Sequence, residues 1–286
     1  MIQKSTLERR LSGKAITDSA AVMWLKDRLY PLLMMLTRTK VTCKVETVNN
    51  CTPLPGKPII FVPNHSAFTD TPIALRVTKR RSYIFSGKQN LAFIDWIFFM
   101  LNGVIWVDRK SKDDMAASKD ALLEYLDKGR SILWFPEGTW NLTPNLLMLP
   151  MKWGIIDIAR QADAQIIPMA MDYDREQNLC RVKFGAPITG DMLADKAEAI
   201  RDLRDTIATL RWDLMCSQPV LHRGEISMQQ LKAEMYKVID EYPPLDWEYE
   251  QSCIYRPYRT IDPIENFGNP DMIQPRLETA LLFKKQ

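Results

Sequence analysis

Several features that mark common protein classes are scarce or absent in this sequence. The five cysteines are scattered without a Cys-x-x-Cys pair, which argues against a disulfide framework and a structural zinc site and fits a reducing compartment best. No apolar run approaches the ~20 residues that a membrane-spanning helix needs, and the first residues lack the features of a secretory signal. With two histidines and no second one at ligand spacing, a catalytic zinc site is also disfavoured.

The charge of the chain is close to balanced. A formal net charge of +3 is too small to indicate nucleic-acid binding, and no block of Lys and Arg is interleaved with aromatic residues. The charge is uneven, however, because residues 76–112 contain eight basic residues against two acidic ones. This window suits a face toward anionic phosphate groups, but an ordinary solvated face gives the same pattern. We therefore expect no nucleic-acid partner and keep both interpretations of the basic window.

The N-terminal region predicts one amphipathic helix. Asp18 or Ser19 can cap a helix that runs to about Thr37, and Pro31 is expected to kink it or break it into two. Apolar residues recur along it at helical spacing, at Val22, Leu25, Leu29, Leu32, Leu33 and Leu36. Trp24 and flanking basic side chains make the stripe suitable for the headgroup boundary of a membrane. The alternative is a helix packed on the protein core.

Short apolar runs then alternate with helical segments. The runs expected to form strands are 41–48, 59–62, 82–85, 104–107, 132–135, 166–171 and 181–184. The segments expected to form helices are 72–79, 91–101, 113–128, 153–162, 191–216 and 225–241. This alternation predicts an α/β fold with a central, mostly parallel or mixed sheet flanked by helices, in which functional residues follow the strands. We expect three regions: an N-terminal helical membrane-docking segment over 1–40, the α/β domain over 41–216, and a C-terminal helix with an irregular acidic arm over 217–286.

The residues most suggestive of chemistry lie where the second of these strands ends. His65 follows this strand, and a Thr-Pro pair at 71–72 then begins a helix with proline at a tolerated position. Asp70 is one chain reversal away, so its carboxylate can accept from one ring nitrogen of His65 while the other nitrogen faces a substrate. That arrangement would hold a general base in the correct tautomer. A single histidine near an aspartate is more often structural, so spacing alone leaves both interpretations open.

Three further strand ends carry suitable residues. The segment 103–109 ends with Arg109, whose guanidinium suits bidentate phosphate binding. The segment 135–139 ends with an acid, a conformationally free glycine and a hydroxyl, which are Glu137, Gly138 and Thr139. Pro168 ends or interrupts a fourth strand. In an α/β fold, strand ends of this kind deliver their loops to one rim of the sheet.

These four segments, in this order and at these distances, resemble the glycerolipid acyltransferase family, typified by bacterial 1-acyl-glycerol-3-phosphate acyltransferase. The family's motif of a histidine, four residues and an aspartate is matched by His65 and Asp70, with Asn64 before it. The second, third and fourth family blocks are matched at 103–109, 135–139 and 166–168. The resemblance covers roughly residues 20 to 215, and the ordered set is more specific than any single block.

The resemblance implies an O-acyltransferase in which His65, oriented by Asp70, deprotonates a hydroxyl of a glycerol-phosphate-type lipid acceptor for attack on an acyl thioester. Because a thioester is a good acyl donor and no Gly-x-Ser-x-Gly elbow is present, no covalent enzyme intermediate is needed. The co-substrate would be acyl coenzyme A or acyl-loaded acyl carrier protein, without a further cofactor or a metal. The residues expected to bind substrate are Asn64, Arg109, Glu137, Gly138, Thr139, Trp140 and Lys152. The expected location is peripheral, at the cytoplasmic face of a membrane.

Residue 140 departs from the family pattern. The family commonly has an arginine after the threonine of the third block, and this chain has Trp140. One guanidinium is therefore missing from the expected phosphate pocket, so Arg109 would act with Lys110, Lys152 or a neighbour. Alternatively, the acceptor is another lipid hydroxyl, such as that of a lysophospholipid or an amino-acid lipid, or Trp140 simply packs against the fold.

The alternative from a different class is a noncatalytic, membrane-docked protein that binds acyl carriers. The presence of both His65 and Asp70 argues against this alternative, because a binding module has no need of a base.

Overall fold

The computed structural model describes residues 18–87, 93–141, 146–218 and 223–233. Within these ranges the strands are β1 Lys44–Thr47, β2 Ile59–Pro63, β3 Ser82–Gly87, β4 Val104–Val107, β5 Ser131–Trp134, β6 Gln165–Asp174 and β7 Leu179–Phe184. The α-helices are α1 Ala20–Lys40, α2 Asp70–Thr78, α3 Phe93–Asn102, α4 Lys112–Asp127, α5 Gly154–Gln161 and α6 Lys196–Cys216. Short 3₁₀ helices cover Gly190–Leu193 and Arg223–Glu225. All seven predicted strands are confirmed, with ends that differ by a few residues.

The strands form a sheet in the order β1-β7-β6-β2-β5-β3-β4. Strand β2 lies between β5 and β6 and is parallel to both, and β3 and β4 extend the parallel part. Strand β7 is antiparallel to β6, and β1 is parallel to β7. Every residue of β2 is buried, as expected for a central strand whose sheet is covered on both faces. The predicted α/β fold with a mostly parallel, mixed sheet is therefore confirmed.

Each face of the sheet carries its own apolar core. On one face, Ile60 and Ile132 pack with residues of α4, α5 and α6. On the other face, Ile59 and Leu133 pack with residues of α2, including Ile73. Because successive residues of a strand point to opposite faces, burial on both faces requires continuous apolar runs, and these runs are what the sequence contains. Packing from both sides fixes the strand ends that carry the candidate site.

Helix α1 is one continuous helix. Ser19 caps its first turn by accepting a hydrogen bond from the backbone N–H three residues on, at 3.3 Å. Pro31 lies inside the helix, so the expected break into two is wrong, and packing of α1 against α2 and α3 carries the helix past this residue. Asp18 anchors the start of α1, because its backbone N–H donates to the Tyr125 hydroxyl at 2.7 Å and its carboxylate accepts from the Tyr83 hydroxyl at 2.8 Å.

Much of the apolar stripe of α1 points outward. Met23 and Leu33 are buried, whereas the exposed large apolar side chains are Val22, Trp24, Leu25, Leu32, Met35 and Leu36. We call these six residues the α1 outer face. The helix therefore packs on the protein with one side and presents an apolar surface with the other. Among the described residues, no helix combines the length and the apolarity needed to cross a bilayer.

Parts of two predicted regions lie outside the described residues. These parts are the first 17 residues of the N-terminal segment and the acidic arm from 234 onward. The helix predicted over 225–241 has helical backbone from 228 to 233, and the rest of that prediction also lies outside the described residues.

Candidate active site

The carboxyl ends of the parallel strands carry the predicted site. His65 follows β2, Arg109 follows β4 and Glu137 follows β5. Asp70 is the first residue of α2, so the chain reverses after β2 and returns this side chain to His65. Because β2, β5, β3 and β4 are successive neighbours in the sheet, these ends lie along one rim.

His65 and Asp70 form a hydrogen-bonded pair. The distance from His65 Nδ1 to Asp70 Oδ2 is 2.8 Å. The Asp70 side chain is 0% exposed, and its carboxylate also accepts from the backbone N–H groups of Ser66 at 2.6 Å and Ala67 at 2.8 Å and from the Tyr173 hydroxyl at 2.5 Å. A buried carboxylate needs such donors to compensate for lost hydration. The four donors fix the orientation of the Asp70 carboxylate.

This pairing defines what the His65 imidazole can do. With the Nδ1 proton donated to Asp70, the lone pair of Nε2 is the one that can accept a proton from a substrate. The ring is 16% exposed and lines a cavity. It stacks on Phe135 with ring centroids 4.1 Å apart, and the tilted Trp140 ring lies 5.5 Å away. Two aromatic neighbours and one carboxylate therefore hold the imidazole in place.

Glu137 accepts a hydrogen bond from the backbone of His65. Its two carboxyl oxygens accept from the backbone N–H groups of His65 and Leu149, both at 2.7 Å. The residue is 1% exposed, and burial raises the pKa of its carboxyl to about 8. Glu137 does not line the cavity beside His65. Because both oxygens are occupied by backbone donors, we expect Glu137 to position His65, and its contact with substrate stays a prediction.

Asn64 also lies outside the wall of this cavity, and its contact with substrate likewise stays a prediction. It is fully buried, and its side-chain oxygen accepts from the backbone N–H of Met171 at 2.7 Å while its amide donates to the Met171 carbonyl at 3.1 Å. These two hydrogen bonds join the end of β2 to β6. Asn64 therefore sets the place where the chain leaves the sheet toward His65, and it does not face the cavity.

An apolar cavity of about 620 Å³ opens beside His65. Phe68, Thr139 and Trp140 line this cavity together with the His65 imidazole. From there the cavity extends between α1 and α3, where it is lined by Leu33, Leu36, Ile97, Phe98 and Phe99. Apolar walls of this kind suit an alkyl chain, since they remove apolar surface from water. The predicted residues Gly138, Thr139, Trp140 and Arg109 all line this cavity.

A second cavity, of about 320 Å³, lies on the opposite face of the sheet beside α4 and α5. Lys152 lines this second cavity and not the one beside His65. Arg109, with Gly87 and Gly138, lines both. The guanidinium of Arg109 therefore lies where the two cavities meet, and Lys152 is on its far side.

Glycine 87 allows this position of Arg109. A Cβ atom at Gly87 would lie 2.7 Å from Nη2 of Arg109, which is closer than atoms can pack. Among the described residues, the Arg109 guanidinium makes no hydrogen bond or ion pair, so its donors are available to an anionic group. Arg81, from the same basic window, instead pairs with Asp27 of α1. Within the basic window, Arg81 therefore has a structural role, and Arg109 lies in the candidate site.

Two residues of this arrangement escaped sequence analysis. Tyr173 lies on β6, and only the adjacency of β6 and β2 brings its hydroxyl to Asp70. Gly87 ends β3 and carries no motif. Neither residue has a sequence signal of its own, because each acts through a neighbour far away along the chain. Within the described ranges, no group of three or more His, Cys, Asp or Glu side chains could hold a metal ion.

Comparison with known proteins agrees with this geometry. Residues 42–172 match the family model described as Acyltransferase. The 1-acyl-sn-glycerol-3-phosphate acyltransferase of Saccharomyces cerevisiae is 29% identical over 174 residues, which are 52% of this chain and 55% of that protein. The human 1-acyl-sn-glycerol-3-phosphate acyltransferase alpha is 32% identical over 167 residues, which are 52% of this chain and 56% of that protein. The chain thus matches only about half the length of these relatives.

A solved structure has the same fold. It is the crystal structure of the 1-acyl-sn-glycerophosphate (LPA) acyltransferase, PlsC, from Thermotoga maritima, with a TM-score of 0.55, 14% identity, and coverage of 76% of this chain and 90% of that one. At this identity, the likeness supports the fold alone. Over residues 42–172, where the ordered motifs lie, the chain is similar to the acyltransferase family, and the relatives named above are 1-acyl-sn-glycerol-3-phosphate acyltransferases.

Proposed function

We propose that this protein transfers a fatty acyl group from an acyl thioester, either acyl coenzyme A or acyl-loaded acyl carrier protein, to a hydroxyl of a glycerol-phosphate-type lipid such as a 1-acyl-glycerol-3-phosphate. The observation that carries the proposal is the His65–Asp70 pair, whose imidazole lines an apolar cavity. The pair supplies a base, and the cavity supplies a place for an alkyl chain. The names of the relatives indicate the same reaction class.

In the proposed reaction, His65 Nε2 takes the proton of the acceptor hydroxyl as its oxygen attacks the thioester carbonyl carbon. The carbon–sulfur bond then breaks, and the imidazolium returns its proton to the leaving thiolate, so the products are an ester and a thiol. Asp70 stabilises the transient imidazolium and keeps Nε2 directed at the cavity. A positioned base of this kind typically contributes ~10²–10⁴ in rate.

Arg109 is the best-placed residue for an anionic group of the acceptor. It lines the cavity that contains His65, and the missing Cβ of Gly87 lets its guanidinium lie against the backbone. A guanidinium fork can bind two phosphate oxygens at once. We propose that the acceptor phosphate lies against Arg109 while the hydroxyl reaches His65.

Trp140 favours a second candidate acceptor. Its ring lies 5.5 Å from the His65 ring and 6.4 Å from the Phe68 ring, so an aromatic wall stands where the family commonly has a guanidinium. An acceptor that carries apolar or zwitterionic groups beside its hydroxyl, such as a lysophospholipid or an amino-acid lipid, would contact this wall more favourably than a phosphate monoester.

A panel of acceptors assayed with both donor types tests the function and separates these candidates. The wild type should form an ester with at least one lipid hydroxyl and release free thiol in equal amount. Trp140→Arg should raise the preference for phosphate-monoester acceptors, whereas Trp140→Phe, which stays aromatic, should not. A folded protein that acylates no lipid hydroxyl with either donor would contradict the proposal.

We further propose that the protein docks peripherally on a membrane, at its cytoplasmic face, through the α1 outer face. Its exposed apolar residues include Trp24, with the Arg28 guanidinium 5.3 Å from the Trp24 ring. A tryptophan with a basic neighbour suits the headgroup boundary. The four cysteines that lie in the described residues are free thiols, in keeping with a reducing compartment.

Liposome sedimentation tests this docking. Leu32→Glu with Met35→Glu places two charges on the α1 outer face, and we expect binding to anionic liposomes to fall several-fold. Val48→Glu is the matched control, since Val48 is also an exposed apolar residue but lies outside α1. Equal binding by the double variant, the control and the wild type would overturn the assignment.

A further inference from the structure

The two oxygens of the Asp70 carboxylate have different partners. Oδ2 accepts the His65 ring hydrogen bond together with two backbone N–H groups. Oδ1 accepts from Tyr173, whose hydroxyl is 2.5 Å away. Among the hydrogen bonds of the described residues, Tyr173 is therefore the donor to the Asp70 oxygen that does not bind His65.

The surroundings of Tyr173 keep its hydroxyl a donor. The Thr69 hydroxyl donates to the Tyr173 oxygen at 3.4 Å, which leaves the phenol proton for Asp70. Burial, together with the negative charge of Asp70, raises the pKa of the Tyr173 phenol well above its usual value. The phenol consequently remains neutral across the range in which a histidine titrates.

We propose that Tyr173 is a positioning residue of the reaction, which acts by drawing negative charge away from the side of Asp70 that faces His65. This inference rests on the proposed role of His65 as the base. A hydrogen bond donated to a carboxylate disperses its charge and reduces its attraction for a neighbouring cation. Without the Tyr173 hydroxyl, more charge would remain at Oδ2, and the imidazolium form of His65 would be favoured.

Other titratable and charged groups surround this cluster, and they are contributed by several elements. They are Cys43, Arg76, Glu137, Asp172, Cys180 and Arg211. Arg109 faces His65 across the shared cavity. Replacing Tyr173 with phenylalanine removes one hydroxyl and changes none of these groups, so a change in the titration of His65 would come from the hydrogen bond to Asp70.

NMR titration of the His65 ring measures the effect directly, because the chain has only two histidines and His222→Gln assigns the remaining signal. For Tyr173→Phe we expect the His65 midpoint to rise by about 0.5–1 pH unit. On the acidic limb, kcat/KM for acyl transfer should fall by the corresponding factor, roughly three- to tenfold. Tyr30→Phe is the matched control: the Tyr30 hydroxyl donates to the carbonyls of Leu75 and Arg80 at 3.2 Å each, and its loss should leave the His65 midpoint unchanged.

Incorporation of 3-fluorotyrosine at position 173 gives a test with the opposite sign and preserves the contact. A more acidic phenol is a stronger donor, so the His65 midpoint should fall. In an Asp70→Asn background, Tyr173→Phe should produce no further shift. An unchanged or lowered midpoint in folded Tyr173→Phe, or a raised midpoint with fluorotyrosine, would overturn the inference. Because the NMR titration needs no acyl transfer, its result stays separate from a failure of the proposed function.

Discussion

Replacing Glu137 with alanine should destabilise the fold and remove the hydrogen bond that holds the backbone of His65. The two carboxyl oxygens of Glu137 accept from the backbone N–H groups of His65 and Leu149, and the residue is almost wholly buried. A buried donor without a partner costs about 1–3 kcal/mol, so two such donors cost roughly 2–6 kcal/mol. Removal of the buried carboxyl offsets part of this, and we expect a net loss of about 2–4 kcal/mol in the free energy of unfolding.

Glu137→Gln separates geometry from charge. Its amide keeps the shape and one oxygen acceptor but turns an NH₂ group toward the second backbone donor, so a loss of about 1–3 kcal/mol is expected. In the wild type, burial raises the Glu137 pKa from 4.5 to about 8, so the folded protein keeps a proton that the unfolded chain loses. The contribution of this carboxyl to stability is therefore full below pH 4.5, falls as the pH rises toward 8 and is constant above.

Urea denaturation of the wild type, Glu137→Ala and Glu137→Gln at pH values from 5 to 9 tests the expected losses of stability and the expected dependence of stability on pH. The wild type should lose stability relative to Glu137→Gln as the pH rises to about 8, after which the difference should level off. A Glu137→Ala protein as stable as the wild type would refute the positioning role. If the difference in free energy of unfolding between the wild type and Glu137→Gln did not change with pH, the raised pKa of Glu137 would be refuted.

Two other substitutions test neighbouring parts of the account. Gly87→Ala should displace the Arg109 guanidinium and raise KM for a phosphate-bearing acceptor several-fold, with little change in melting temperature. Gly224→Ala is the control, because Gly224 has open space around it, and it should change neither KM nor the melting temperature. An unchanged KM for Gly87→Ala would contradict the proposed place of the phosphate. Asp18→Ala removes the acceptor of the buried Tyr83 hydroxyl and should cost about 1–3 kcal/mol of stability in thermal denaturation; no measurable loss would show that α1 is anchored elsewhere.

The sequence was sufficient to predict the layers of the fold because each layer depends on local patterns. Strand β2 is an uninterrupted apolar run, and that pattern predicts a strand buried on both faces. The pairing of His65 with Asp70 was also predictable, since only four residues separate them and the turn before α2 returns the chain. The continuous helix through Pro31 was not predictable, because tertiary packing outweighed the local preference for a break.

The contacts that sequence analysis missed join residues distant along the chain. Glu137 reaches the backbone of His65 across a separation of 72 residues, and Tyr173 reaches Asp70 across 103. Both depend on the order of strands in the sheet, which local periodicity does not specify. For the same reason, the sequence predicted that Lys152 acts with Arg109 but not that these two residues line the cavity on the face of the sheet opposite His65.

The most direct test of the account is acceptor-dependent release of thiol from an acyl thioester by His65→Ala, measured beside circular dichroism and melting of the same sample. We predict a rate lower by ~10²–10⁴ in a protein that remains folded. A folded His65→Ala protein that transfers acyl groups at close to the wild-type rate would contradict it.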